Sequence, residues 1–201
     1  MGVTIEFQSL AQADWSGREL ADAEVRFCDL RGAVLTGAAA RGSFWQHCSL
    51  RGADLAASDL VDAVFSDCLL ERASLRGARL ARARLVRCSF EDADLSEAGL
   101  RDATTVQCSF DAARLDGVRD VATARDLVVE ILRRAAGDDP ELLRWVGLVA
   151  LERRWCYEEW ARELAGSPRH RALALEAFAA YPAAGFADAL NAPSAPDSIA
   201  T

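Results

Sequence analysis

Residues 48–70 read CSLRGADLAASDLVDAVFSDCLL, and two spacings in this stretch decide the fold. Large apolar side chains fall at Leu50, Leu55, Leu60, Phe65 and Leu70, one every fifth residue. A small residue stands two places before each, at Cys48, Ala53, Ser58, Ala63 and Cys68. A period of five matches neither the 3.6 of a helix nor the 2 of a strand, so neither an amphipathic helix nor an ordinary sheet could bury this stripe. A chain that turns a corner every five residues buries it. The large residue and the small one then point to a common axis, and the other three face water.

Outward from this stretch the beat runs from Trp15 to Leu115 and is broken only at Ala40 and Thr105. The small slot runs from Ala13 to Ala113 and departs only at Arg18. A longer period lies over the first: Cys28, Cys48, Cys68, Cys88 and Cys108 recur every twenty residues, always in the small slot. Twenty is four fives, so four quintets complete one turn and return the chain above itself. The cysteines then stack in one column at roughly the 4.8 Å spacing of hydrogen-bonded strands. About five coils and a square shaft about 25 Å long follow from that rise.

Ala53-Asp54-Leu55, Ala93-Asp94-Leu95 and Cys88-Ser89-Phe90 resemble the A-(D/N)-L-x-x and C-x-F variants of the pentapeptide-repeat family. The resemblance covers about half of the chain without a break in register. It implies a mainly β fold, a right-handed quadrilateral β-helix, here followed by a C-terminal α-helical segment. It also implies candidate partners. Some bacterial members resemble B-DNA in width and negative charge, bind DNA gyrase or related topoisomerases in place of DNA, and protect against quinolones or other topoisomerase poisons. The fold by itself dictates none of this.

The 201 residues are 51% apolar and carry a net charge of −8, enough for one or two small domains with a real core. No apolar run reaches membrane-span length, and the first 17 residues hold no basic side chain to start a signal peptide. The expected location is the cytoplasm. The cysteine column is expected to stay reduced, its thiols filling the core as Ala and Ser do in the same slot. Zinc is not expected either, since four ligands must converge on one point and a linear stack cannot. All 23 basic residues are arginine.

Charges are grouped by turn. Asp54, Asp59, Asp62, Asp67 and Glu71 fill one turn, Arg72, Arg76, Arg79, Arg82, Arg84 and Arg87 the next, and Glu91, Asp92, Asp94 and Glu97 the one after. An arginine belt could bind phosphate. Stacking offers a simpler reading: residues twenty apart are neighbours, so Asp59 lies over Arg79, Asp62 over Arg82, Asp67 over Arg87 and Arg72 under Asp92. Such pairs tie adjacent turns together at a few tenths to about 1 kcal/mol each. Direct nucleic-acid binding is therefore not expected. For DNA mimicry, the best acidic column is Glu71, Glu91 and Asp111. Between residues 13 and 118 there are 17 acids and 13 arginines, a net of −4, whereas a duplex of that length carries roughly 15 negative charges.

At Ala40 the missing volume is expected to be made up by Trp45 in the next quintet, which makes Trp45 a core residue. From Val121 the pattern turns helical. Leu127, Val128, Ile131 and Leu132 form one stripe closed by Gly137, and Asp139-Pro140-Glu141 opens a second helix through Leu142, Trp145, Val146 and Val149. Ser167-Pro168 starts a last helix reaching about Tyr181. The expected division is a lead-in at 1–12, the β-helix at 13–118, helices at 121–181 and a mobile tail at 182–201.

A solenoid end must be capped, and helices packed on it would use one apolar face. Leu143, Leu148 and Leu151 lie off the main stripe of the second helix and call for another cover: the third helix, a partner protein or a second copy of the chain. Trp155, Tyr157 and Trp160 are the expected anchors of such an interface. No nucleophile–base pair, phosphate loop, dinucleotide fingerprint or metal motif is found, so no enzyme activity and no cofactor are expected.

Overall fold

A computed structural model describes residues 2–152 and 156–185. Six three-residue strands, β1 Thr4–Glu6, β2 Glu24–Arg26, β3 Phe44–Gln46, β4 Val64–Ser66, β5 Arg84–Val86 and β6 Thr104–Val106, pair in parallel in sequence order. Every pairing has a register of twenty, as in Val25↔Trp45 and Trp45↔Phe65. The other three sides of the square are held by single bridges of the same offset, such as Asp29↔Ser49, Asp54↔Ser74 and Asp59↔Arg79. Four sides of five residues therefore make one coil, and six strands mark five complete turns.

The corners have a local cause. From Phe7 to Gly117 every fifth residue has positive φ, and glycine takes several of these places. At Gly37, with φ of 65°, an added Cβ would meet nothing within 4 Å. The demand there is conformational rather than spatial. Ala57, one coil above Gly37, and Asp62 at the next corner hold the same conformation at φ of 55° and 61°, which costs an L-residue about 1–2 kcal/mol.

The core is the column the beat requires. Leu30, Leu50 and Leu70 are fully buried, as are Leu35, Leu55 and Leu75 on the next side. Trp45 and Phe65 stack at 5.7 Å, and Phe90 and Phe110 at 4.9 Å. Ala40 and Trp45 are both completely buried. The Trp45 indole donates to the Ser43 hydroxyl at 2.7 Å, and that hydroxyl donates to the Ala40 carbonyl at 2.6 Å. A serine in the small slot thus satisfies the one polar atom that a buried tryptophan brings.

The tube starts earlier than the sequence pattern suggests. Residues 1–12 were expected to be a lead-in, yet β1 pairs with β2 through Ile5↔Val25, and Leu10 and Gln12 donate to Asp29 and Arg31. Ile5 and Leu10 continue the fivefold beat, but Val3 and Gln8 occupy the small slots. Gln8 is exposed because this coil has a neighbour on one side alone, so its slot need not be small.

Each coil is also polar along the axis. Outside the strands, the first coil donates seven backbone hydrogen bonds upward, from Phe7, Leu10, Gln12, Trp15, Gly17, Leu20 and Asp22. It receives four in return, from Glu24, Asp29, Val34 and Ala39. The last coil therefore ends rich in N–H donors, and the C-terminal segment supplies acceptors. Asp120 and Val121 donate to the carbonyls of Ala183 and Ala184, and the Cys108 amide donates to the Asp126 carboxylate at 2.8 Å.

Four helices follow: α1 Arg125–Ala136, α2 Pro140–Leu151, α3 Tyr157–Ala165 and α4 Pro168–Ala179. Leu127, Val128, Ile131 and Leu132 of α1 are buried, and α1 packs on β6, α2 and α4. Asp139 caps α2 by accepting from the amides of Glu141 and Leu142, and Gly137 closes α1 at φ of 53°. Thr105, the anomaly in the beat, has a clear role at this joint. Ala124 at the N-cap of α1 has no capping side chain, and the Thr105 hydroxyl accepts from the Asp126 amide at 2.9 Å in its place. Residues 182–201 were expected to be a tail, but a short 3-10 turn at Pro182–Ala184 returns to the tube end and buries Ala184. Residues 186–201 lie outside the described residues.

Candidate interaction surface

The charge groups on the tube are spent largely on one another. Arg82 grips Asp62 through two bonds of 2.7 and 2.6 Å, and Arg87 grips Asp67 at 2.6 and 2.7 Å. Asp59 receives Arg41 and Arg79, each at 3.2 Å, Asp94 receives Arg114 at 2.7 Å, and Arg72 meets Asp92 at 3.7 Å. All of these except Arg41–Asp59, which spans eighteen residues, follow from the twenty-residue offset. The Arg87 guanidinium, helped by the Ser66 hydroxyl, pulls the Asp67 carboxyl down to about 2. Arg82 lowers Asp62 in the same way.

The Glu71, Glu91 and Asp111 column is the expected acidic face, and it is not continuous. Arg51 clasps Glu71 through bonds of 3.0 and 3.1 Å. Burial works to raise the Glu71 carboxyl, and Arg51, with smaller help from its own backbone and Ser89, brings it below the ordinary glutamate range. Asp111 is met by Arg133 of α1 at 2.9 Å. Glu91 remains exposed between them. The shallow groove beside it is lined by Arg51, Gly52, Glu71, Arg72, Glu91 and Asp92, three acids against two arginines.

A groove of about 480 Å³ between the last coil and the helices is lined by Cys108, Asp111, Asp126, Glu130, Arg133 and Ala150, among others. Its charges are matched internally. The buried Glu130 takes two bonds from Arg133, at 2.7 and 2.8 Å, and one from Arg134 at 2.7 Å.

All six cysteines are free thiols. Cys48 donates to the carbonyls of Val25 and Gln46, and Cys68 to those of Trp45 and Ser66, which repeats one geometry up the column. Burial raises the Cys28 thiol, while contact with the Cys48 and Cys88 thiols and then burial raise Cys68 far above the ordinary range. Among the described residues, no cluster of His, Cys, Asp and Glu is arranged to hold a metal ion, and no helix is long and apolar enough to cross a membrane.

The exposed apolar residues lie elsewhere. Phe7, Phe27 and His47 form an outward ladder with ring centroids 5.0 Å apart at each step. Its twenty-residue spacing is visible in the sequence, but at outward positions that the fivefold core beat does not mark. On α2, Leu143, Leu148 and Leu151 are 37%, 58% and 77% exposed. Trp160, an expected anchor, is instead buried at 6% exposure and stacks on Trp145, which also stacks on His170 at 4.5 Å. Packing between helices takes up its apolar area. Trp155 and the side chain of Tyr157 lie outside the described residues.

The described residues form a parallel β-helix whose charges pair largely with one another, followed by helices that expose leucines. The family model for pentapeptide repeats matches in eight copies, over residues 1–37, 33–72, 48–85 and 73–104, and the chain belongs to that family. Solved structures similar to it include QnrB1, a plasmid-mediated fluoroquinolone resistance protein, at 13% identity and TM-score 0.35, covering 59% of this chain and 80% of that one. HetL, involved in heterocyst differentiation regulation in the cyanobacterium Nostoc, is 26% identical at TM-score 0.26, over 59% of this chain and 63% of that one. A pentapeptide repeat protein of the Arabidopsis thaliana thylakoid lumen is 24% identical at TM-score 0.34, over 63% and 75%. No curated protein matches the chain.

Proposed function

We propose that this protein is a non-catalytic interaction scaffold: the tube is a rigid spacer, and the helical end docks a protein partner in the cytoplasm. The observation that carries this reading is the contrast in surface use. Tube acids are neutralised by neighbours twenty residues away, as at Asp62–Arg82 and Asp67–Arg87, while α2 presents Leu143, Leu148 and Leu151 to solvent. Contiguous exposed apolar side chains mark docking surfaces.

The rival is a DNA mimic that binds gyrase or another type II topoisomerase and protects against its poisons. It needs a face of uncompensated acid, and of its best column Glu91 alone is left without an ion pair among the described residues, beside the paired Glu71 and Asp111. Two assays separate the readings. Supercoiling by gyrase is expected to be unchanged at micromolar protein, and capture from an extract of the source cells is expected to recover a partner that Leu148→Glu loses. Gyrase inhibition that disappears in Glu91→Arg would establish the mimic and defeat the scaffold.

A further inference from the structure

The tube has a second end, and its chemistry is lopsided. β1 is an outermost strand of the sheet, so the first coil keeps one edge without a coil beneath it. What that edge holds follows from the coils above. There the carbonyls of Arg26, Asp29 and Val34 accept from Phe7, Leu10 and Trp15 of the coil below, and the Glu24 and Asp29 amides donate down to Val3 and Gln8. The groups twenty residues earlier therefore face out of the tube: the Thr4 and Ser9 amides and the Glu6, Ser9 and Asp14 carbonyls. Around the coil, the bonds outside the strands leave seven such carbonyls against four amides. The Glu6 carbonyl already draws a side-chain donor, the Gln8 amide at 3.2 Å. The side chains add to the same sign, since Glu6, Asp14, Glu19 and Asp22 stand against Arg18 alone in this coil and its exit.

Three columns on the β1 side also stop short here. Ile5 is half-buried, whereas Val25, Trp45 and Phe65 above it are fully buried. Glu6 meets Arg26 above at 3.5 Å. Phe7 stacks one ring face on Phe27 at 5.0 Å and is otherwise exposed. A second copy of the chain does not suit this edge. Head to head, carbonyls would meet carbonyls and Glu6, Asp14 and Glu19 would meet one another, and head to tail, α1 lies on the last strand. We propose that the edge takes an extended segment of a partner protein as a further parallel strand, with an apolar, a basic and an aromatic residue in succession beneath Ile5, Glu6 and Phe7. β2 carries that series on the opposite edge of β1, as Val25, Arg26 and Phe27. The apolar residue closes the core column, the basic one places Glu6 between two cations, and the ring covers the free face of Phe7. Main-chain bonds supply the affinity and the three side chains the selectivity, as when a strand is added to an open sheet edge. The proposal goes beyond docking at α2, because it gives the spacer an attachment at its other end.

The test is fluorescence anisotropy of the labelled peptide Ser-Thr-Val-Arg-Phe-Ser, titrated with the intact chain to about 1 mM, the weak end of the affinity scale. Saturable binding is expected, with a peptide carrying Glu in place of Arg about tenfold weaker. Thr4→Pro removes an outward amide and leaves the bonds to β2 in place, so it should weaken binding about tenfold with unchanged circular dichroism. Glu6→Arg should reverse the preference between the two peptides, a gain that misfolding would not produce. With peptide bound, hydrogen–deuterium exchange should slow over residues 4–6 and not over 140–151. No saturation, equal binding of the two peptides, or undiminished binding by Thr4→Pro would overturn the proposal and leave docking at α2 to the capture experiment. Slowing over 140–151 alone would place the peptide on α2 and overturn it as well.

Discussion

The tube and the helical end are built from similar proportions of apolar sequence and use it in opposite ways. In the tube each core residue has a place set by its number modulo five, and several charges meet partners twenty residues away. The surface that results is internally settled: Asp62, Asp67 and Asp94 are held by Arg82, Arg87 and Arg114. In the helical end no repeat assigns partners. Leu127, Val128, Ile131 and Leu132 close the tube, whereas Leu148 and Leu151 face water. A repeat can satisfy itself at every position, and binding capacity is then left to the segment that breaks the repeat.

The largest expected effect comes from breaking the tube's own order. Trp45→Ala removes a fully buried side chain, together with its hydrogen bond to Ser43, and should cost about 3–5 kcal/mol in urea unfolding. The matching change on α2, Leu148→Ala, should cost under about 0.5 kcal/mol because the side chain is exposed. The joint between the regions comes next. Thr105→Val keeps the shape and deletes the acceptor of the Asp126 amide, for about 1–3 kcal/mol. Amide exchange should quicken in α1 while β2 to β4 stay protected, and equal acceleration everywhere would show that tube and cap unfold as one unit.

A smaller effect tests the charge ladder. The folded Asp67 carboxyl lies at about 2 against an ordinary 3.8, so its ion pair adds stability above the ordinary value and loses it as the pH falls toward 2. Arg87→Ala should flatten that part of the acid unfolding profile, and an unchanged profile would remove the ladder from the stability account. The smallest effect is at a corner. Ala57→Gly relieves a φ of 55°, and the gain, up to about 1 kcal/mol, is offset in part by glycine's entropy in the unfolded chain.

The tube was legible because one rule repeats: the fivefold beat named its core, and the twenty-residue column named its ion pairs, including Asp59–Arg79 and Asp67–Arg87. Its first coil was not, because Val3 and Gln8 fill slots that an end coil leaves unconstrained. Thr105 stood out as an anomaly, but its partner lies 21 residues on, past the last repeat, where no register predicts contacts. The helix starts at Asp139 and Ser167 were readable from proline signals, whereas the break between α2 and α3 was not. Which apolar face meets which was beyond the sequence. Trp160 looked like an anchor and is packed on Trp145, and the acidic column ignored Arg51 and Arg133, one of them on a different element.

The central claim is that association runs through α2 and not along the tube. Hydrogen–deuterium exchange of the intact chain, compared with and without the partner recovered by capture, tests it most directly. The account expects slowing confined to residues 140–151. Slowing over the coils that carry Glu71, Glu91 and Asp111, with α2 unchanged, would contradict it.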